Sequence, residues 1–463
     1  MVRAHSFWRQ RVRRRRWVGM VVPSPPTGVL AAAGTPDATG GGARLGTWLG
    51  TWATAPATAP PADVPTFEDQ TIRQVVRVSA GGDALRVRLS NEFGIRPLVI
   101  GAAHVARGVP GAAERSAERI AEGTDRTLTF GGRAAVTVPP GAPVLSDPVE
   151  LPVPARSDLV VSLYLPGRTE GRTVHGSAFQ RNAVAAGNVA GEPKVTPTST
   201  IEQWFFLTGI SVRSRWPGAA SVVAFGDSIT DGASTTVGAN RRWPDVLAAR
   251  LAGEHGGGRG RHGGRGGRGG RRGGGPAGRL GVLNAGISGN RLLHDPNPLP
   301  GSEAEGFAAF FGESGLRRFD RDVGAQPGVK YVIVLIGVND LGHPGAVAPP
   351  DEEVSADDVI AGHRQLIARA RARGLKIFGG TILPFRDDTF GLFTPEREAA
   401  RQAVNAWIRT GGAYDAVIDF DAALRDPAAP DRLLPAYDSG DHLHPNDAGA
   451  AALAHAVPLR IFR

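Results

Sequence analysis

Two hydrophobic rhythms divide the chain. From about residue 46 to 216, apolar and polar positions alternate in short runs. Leu85, Val87 and Leu89 are separated by Arg86 and Arg88, and residues 72–78 follow a similar course. A period of two is that of half-buried strands. Further strands are predicted at 98–104, 128–130, 134–138, 159–165 and 205–212. Turn-forming residues separate them, as in Asn91-Glu92-Phe93-Gly94 and Pro139-Pro140-Gly141. No long helical pattern interrupts, so the region reads as an all-β sandwich or jelly roll of about eight strands.

From about 219 the rhythm becomes strand, loop, helix. Apolar runs at 222–225, 282–284, 331–336, 376–382 and 416–420 predict buried strands. Ser355 suits the N-cap of a helix whose Val359, Ile360, His363, Leu366, Ile367 and Ala370 share one face. Thr394-Pro395 opens another helix, with Pro at its first position. A third follows Trp243-Pro244, and an Ala-rich helix is predicted from about 446 to 455. Apolar strands alternating with amphipathic helices predict an α/β domain over 219–463, a parallel sheet covered on both faces.

Composition and charge add bounds. The 463 residues are 41% apolar, with 64 Gly and 36 Pro. The absence of cysteine excludes a Cys nucleophile, a Cys-ligated zinc site and disulfides. Seven arginines lie among the first 16 residues and seven more between Arg259 and Arg279, with no acid in either stretch. Without these fourteen charges the net +9 becomes −5, so the body is mildly acidic and no basic nucleic-acid surface is implied for it. Residues 1–45 read as an export signal, with Ala31-Ala32-Ala33 near a cleavage site, although Pro23-Ser24-Pro25-Pro26 breaks the apolar segment. The alternatives are a disordered basic tail or a misplaced start codon. No run reaches the roughly 18 apolar residues of a membrane span. The Gly/Arg-rich stretch 256–278 reads as an expanded loop. Nothing aromatic is interleaved to stack on bases, so RNA binding is the less favoured reading.

In an open α/β sheet, ligands bind beyond the carboxyl ends of the strands. The residues there are Gly226-Asp227-Ser228, Asn284 to Asn290 with Ile287-Ser288-Gly289-Asn290, and Gly337-Val338-Asn339-Asp340. The loop before the last helix reads Asp441-His442-Leu443-His444. Together they hold the parts that acyl transfer needs. Ser228 is the candidate nucleophile and His444 its base, with Asp441 to orient the imidazole. The backbone N–H groups of Ser228 and Gly289 and the Asn339 amide are candidate oxyanion donors. The G-x-S-x-G elbow of α/β-hydrolases is absent, because Thr230 stands where its second Gly would be.

These four motifs, in this order, resemble the SGNH hydrolases, or GDSL esterase/lipase family. The resemblance covers about 240 residues and implies a flavodoxin-like three-layer α/β/α fold and metal-free ester hydrolysis. Carried over residue by residue, it makes Ser228, Asp441 and His444 the triad and Gly289 and Asn339 parts of the oxyanion hole. The first motif reads GDSI rather than GDSL. The upstream β-region, with its LSNEFG, also looks like that of larger secreted bacterial members.

Other polar residues receive structural readings. His175 and Asn91, the two to watch in the β-region, are taken as a loop and a turn residue. Asp340-Leu341-Gly342-His343 offers a rival Asp/His pair, but His343 is expected on the rim and Asp340 in a supporting role. Asp227 is expected to hold the turn. A metal on Asp441, His442 and His444 is disfavoured, because no further His or carboxylate cluster lies nearby in the sequence. The expectation is a secreted serine esterase with no cofactor, acting on a small-molecule or polysaccharide ester. The competing readings are a non-catalytic carbohydrate- or surface-binding protein and a nucleic-acid binder. Acyl chain, alcohol and oligomeric state are not encoded legibly.

Overall fold

The five strands of the second region form a parallel sheet in the order Leu280–Gly286, Ala220–Gly226, Val329–Leu335, Lys376–Gly380, Ala416–Ile418. In chain order this is 2-1-3-4-5, the flavodoxin-like order, with its switch point at the first strand. The structure is a computed structural model that describes residues 46–109, 117–253 and 279–463. The expected export segment 1–45 and the Gly/Arg insertion 256–278 lie outside the described residues.

The helices form as their caps dictate. Ser355 and Asp358 make a reciprocal capping box on Ala356–Ala372. Thr394 caps Pro395–Thr410, and Asn446 caps Asp447–Ala456. The first two of these pack against each other, and Asp447–Ala456 packs against Trp243–Leu251. Between the helices and the sheet lies a core in which Val222, Val223, Ala224, Phe225, Val332, Ile333 and Val334 have no exposure. Two predicted strands end early. The last stops at Ile418, because Asp419 caps a short helix Phe420–Leu424, and the fourth stops at Gly380. No helix among the described residues is long and apolar enough to cross a membrane.

The upstream region is antiparallel throughout its sheets. One sheet joins Thr47–Ala53, Leu207–Ser214, Gly82–Ser90, Pro143–Leu145 and Val149–Val153. A second runs Ser199–Ile201, Asn182–Ala186, Gln70–Arg77, Asp158–Leu165, Ala102–Arg107, Arg126–Thr127, and three smaller sheets of two or three short strands accompany them among the described residues. Register puts Ile72 opposite Leu163 and Val76 opposite Leu159, and all four are buried in the core shared with Leu85, Val87 and Leu89. The strands outnumber the expected eight because several are only two or three residues long, too short to show alternation. Residues 128–130 are not a strand, and Phe206, at φ +61°, breaks the predicted run at 205–212. Gln70–Arg77 is also more than half-buried. On its second face Val75 clusters with Ala106, Val160 and Ala183 of neighbouring strands and with Ala117 and Ile120 from outside the sheet, and Arg73 reaches the carbonyls of Val189, Ala190 and Glu192.

The described residues form one compact unit. Ser221 Oγ donates to the Gly50 carbonyl at 3.1 Å and the Pro327 carbonyl at 2.8 Å. The Val282 N–H donates to Ser79 Oγ at 2.8 Å. A side chain on Gly281 would collide with the Gly50 carbonyl at 2.0 Å, so the two regions meet backbone to backbone.

Leu163 has no exposure and lies at the centre of the six-stranded sheet. Leu163→Ala is expected to cost about 2–5 kcal/mol in urea denaturation, the usual range for a cavity left in a packed core, while turnover per folded molecule stays unchanged.

Candidate active site

The first strand ends against its neighbour so closely that a side chain on Gly226 would meet the Leu335 carbonyl at 2.3 Å. The next residue, Asp227, leaves the strand in an extended conformation, and its carboxylate accepts the Ile229 N–H at 3.0 Å. This cap starts the four-residue helix Ser228–Asp231. Ser228 is therefore the first helical residue, whose N–H has no preceding turn to donate to. Asp227 holds the turn as expected. Its burial pushes its carboxyl up to about 7.

The second strand leads into Ile287-Ser288-Gly289-Asn290. Gly289 has φ +76°, and a Cβ there would meet the Phe311 ring at 2.1 Å, so conformation and space both demand glycine. Asn290 fixes the loop from beneath. Its Nδ2 donates to the carbonyls of Phe311 at 2.7 Å and Glu313 at 2.8 Å. Its Oδ1 accepts from Arg318 Nε at 3.0 Å.

The third strand presents Asn339 and Asp340 at the start of helix Val338–Gly342. Asn339 Nδ2 donates to the Asn290 carbonyl at 2.9 Å, which sets the amide beside the Gly289 loop and leaves it a second hydrogen. Asp340 is supporting, as expected. Its two oxygens accept the N–H groups of Leu292 at 2.7 Å and Leu293 at 2.9 Å. Burial pushes its carboxyl up to about 6.

The last loop folds back on its own aspartate. Asp441 Oδ1 accepts the N–H groups of Leu443 and His444, at 3.0 and 2.7 Å. Its Oδ2 lies 2.7 Å from His444 Nδ1, and His444 Nε2 lies 2.8 Å from Ser228 Oγ. Ser228, more than 200 residues away in sequence, thus joins His444 and Asp441 in one hydrogen-bonded series. Partial burial raises the Asp441 carboxyl, but the bond and charge of His444 and the two N–H groups outweigh it and hold it below the usual carboxylate range. The Phe390 ring meets the His444 ring edge-on, with centroids 5.9 Å apart. His442 turns instead to its own carboxylate, Asp438. No group of three metal-ligating side chains occurs among the described residues.

Two expectations are corrected. His343 is buried rather than on the rim, with its ring packed on Phe311 at 5.6 Å between centroids. Burial, with Arg291 and Arg397 nearby, pushes it down to about 3, so it is neutral. His175 is no loop residue. It ends the strand Thr173–His175, is 3% exposed, and bonds the Ala55 carbonyl and Asp231. Asn91 is the turn residue expected, with Nδ2 on the carbonyls of Arg96 and Val138. Sequence reasoning also passed over Asn290 and Arg318. Asn290 stood inside a recognised motif, whereas nothing in the pattern around Arg318 distinguishes it from a surface arginine.

Residues 224–452 match the GDSL-like Lipase/Acylhydrolase family. No curated protein matches the chain. Several solved structures are similar in part, among them the following. Est24, a carbohydrate acetylesterase from Sinorhizobium meliloti, is 15% identical, with 51% of this chain and 95% of that one covered and a TM-score of 0.34. The aryl esterase of M. smegmatis is 15% identical over 51% and 96%, with a TM-score of 0.34. A GDSL-like lipase from Bacteroides thetaiotaomicron is 18% identical over 52% and 88%, with a TM-score of 0.34.

Asp340→Asn is expected to turn an NH₂ group toward one of the two backbone donors that the carboxylate now satisfies. A lost bond and an unsatisfied buried N–H cost about 1–3 kcal/mol. Urea denaturation should show that loss, and kcat should fall with it as the segment after Gly289 loosens.

Proposed function

We propose that this carboxylic ester hydrolase, which carries a GDSL-like lipase/acylhydrolase domain over residues 224–452, works through an acyl intermediate on Ser228. The observation that carries the reading is the unbroken series Ser228 Oγ, His444 Nε2, His444 Nδ1, Asp441 Oδ2, with spacings of 2.8 and 2.7 Å. A neutral hydroxyl is a poor nucleophile, and an imidazole at this distance can take its proton as the oxygen attacks the ester carbonyl. Asp441, held ionised by its bonds to His444 and to the two backbone N–H groups, fixes the tautomer that leaves Nε2 free to accept and then stabilises the imidazolium.

The carbonyl oxygen becomes an anion as the tetrahedral intermediate forms. The N–H of Ser228 at the helix start, the N–H of Gly289 and the second hydrogen of the Asn339 amide are its donors. Each is fixed before substrate arrives, so little reorganisation is needed during the reaction. His444 returns the proton to the departing alkoxide, and the alcohol leaves. Water then gives its proton to His444 and attacks the acyl carbon. Collapse of the second intermediate releases the acid and restores Ser228. No step calls for a metal.

Short acyl, lipid and acetylated-carbohydrate esters all suit this chemistry, and the loops bearing Phe311 and Phe390 would set the choice. p-Nitrophenyl esters of graded acyl length, with an acetylated xylan, would rank them.

Ser228→Ala is expected to abolish hydrolysis of p-nitrophenyl acetate with no change in thermal unfolding. Retained turnover would remove Ser228 from the nucleophile's role, and an inert wild-type protein would favour a binding function. Asp441→Asn should lower kcat by about 10²–10⁴, because an amide no longer enforces the working tautomer. Prolonged EDTA treatment should leave turnover intact. Loss that zinc restores would point instead to metal bound by Asp441, His442 and His444.

A further inference from the structure

The β-region places one titratable side chain against the catalytic framework. The strand Thr173–His175 ends under the nucleophile helix, where His175 and Asp231 are each 3% exposed. His175 Nδ1 lies 2.8 Å from the Ala55 carbonyl, which can only accept, so Nδ1 carries a hydrogen. His175 Nε2 lies 3.0 Å from Asp231 Oδ1. The other carboxylate oxygen, Oδ2, accepts both from the Ser288 N–H at 3.0 Å and from the Ser288 hydroxyl at 2.8 Å. Asp231 is the last residue of the helix that Ser228 begins, and Ser288 precedes Gly289. One buried carboxylate therefore ties together the nucleophile helix, the Gly289 loop and the β-region.

A second contact reaches the same loop. A side chain on Gly176 would meet the Phe310 ring at 2.9 Å, and the adjacent Phe311 covers Gly289. One on Gly312, at the end of that turn, would approach Ala57 at 3.6 Å. The strand end bearing His175 thus abuts both supports of Gly289, the Asp231 carboxylate and the 308–311 turn.

We infer that His175 is a positioning residue for ester hydrolysis, acting through Asp231 and Ser288 to aim the Gly289 N–H, so that the β-region is part of the catalytic apparatus. The inference rests on the reading of Gly289 as an oxyanion donor. With Nδ1–H held on the Ala55 carbonyl, the proton shared between His175 Nε2 and Asp231 Oδ1 holds Asp231 in one rotamer, with Oδ2 toward Ser288. Burial alone would lower the proton affinity of His175, but the charge and hydrogen bond of Asp231 outweigh it and raise it. The charged groups nearby are Asp231 itself and Arg242, whose guanidinium lies 5.8 Å from the centre of the Trp204 ring and is paired with Asp245. Without His175 the carboxylate can turn, and the Ser288-Gly289 peptide loses its anchor. Oxyanion donors are sensitive to such displacement, since their contribution is made only when charge develops on the substrate oxygen.

The test uses the full chain and p-nitrophenyl acetate, with the reactive serine titrated by a fluorophosphonate so that misfolded molecules are not counted. For His175→Ala, kcat per titrated serine should fall ~10–100-fold, short of the loss of a complete donor, while KM stays within about 2-fold. Ser288→Ala should lower kcat by a smaller factor, ~3–10-fold. The double variant should be no slower than His175→Ala, because both changes break the same series. A merely structural role would reduce the titratable serine and leave kcat per serine unchanged, and that result overturns the inference, as does an additive double variant. If His175→Ala does not accumulate, Ser288→Ala decides alone: undiminished kcat per serine overturns the inference. Ser228→Ala is measured alongside. Turnover by that variant would defeat the catalytic reading itself, whereas an inert Ser228→Ala with a fully active His175→Ala would defeat only the positioning role.

Discussion

The site depends on a buried guanidinium. Arg318 has no exposure and lies under the carboxyl ends of the first two parallel strands. It donates to the Gly226 carbonyl at 2.7 Å, the Ala285 carbonyl at 2.8 Å and Asn290 Oδ1 at 3.0 Å, and it pairs with Asp322 at 3.2 Å. Its carbon centre sits 4.1 Å above the Phe225 ring. Strands that end in sharp turns leave their last carbonyls inside the protein without ladder partners, and such groups are costly unless paired. One planar cation with five donors bonds two such carbonyls, Gly226 also accepting the Ile287 N–H at 3.2 Å, and holds the Gly289 loop as well. Burial pushes Arg318 down to about 10, still far above neutrality, so the cation persists. The Ser228 turn and the Gly289 turn are thereby fixed to each other.

Around that anchor, carboxylates of one residue type are set to different tasks by their surroundings. Asp227 and Asp340 accept only backbone N–H groups and lie where water does not reach, so burial raises their proton affinity. Asp441 is only partly buried and faces an imidazole as well as two N–H groups, so its proton affinity falls. The first two serve as fixed acceptors that shape turns, and the third remains charged beside His444. The fields that stabilise each one come from neighbours a few ångströms away.

The antiparallel region contributes more than a neighbouring surface. Ala53 and Ala55 are buried in the core of the parallel-sheet region, and Ser79 and Gly50 exchange hydrogen bonds with the strands that carry the site. The closest involvement is the His175–Asp231 pair, in which charge is taken out of water at a boundary between strand and helix. Removing one partner of such a buried pair leaves the other without its hydrogen bond, so each holds its neighbour in a fixed geometry.

What could be read from the amino-acid order was what depends on near neighbours. The alternation at Leu85, Val87 and Leu89, the caps Ser355, Thr394 and Asn446, and the motifs at Ser228, Gly289, Asn339 and His444 are local. Each is recorded in the residues that adopt it. Parallel topology then brings the ends of the strands to one edge, so their juxtaposition followed from fold class. The roles of His175, His343 and Arg318 had no such record. His175 meets Asp231 across 56 positions, and Arg318 meets Gly226 across 92. A lone histidine after a short strand has the same local signature whether it faces water or a buried carboxylate. Only tertiary packing decided which charges were desolvated, and desolvation is what separates a surface residue from a structural one.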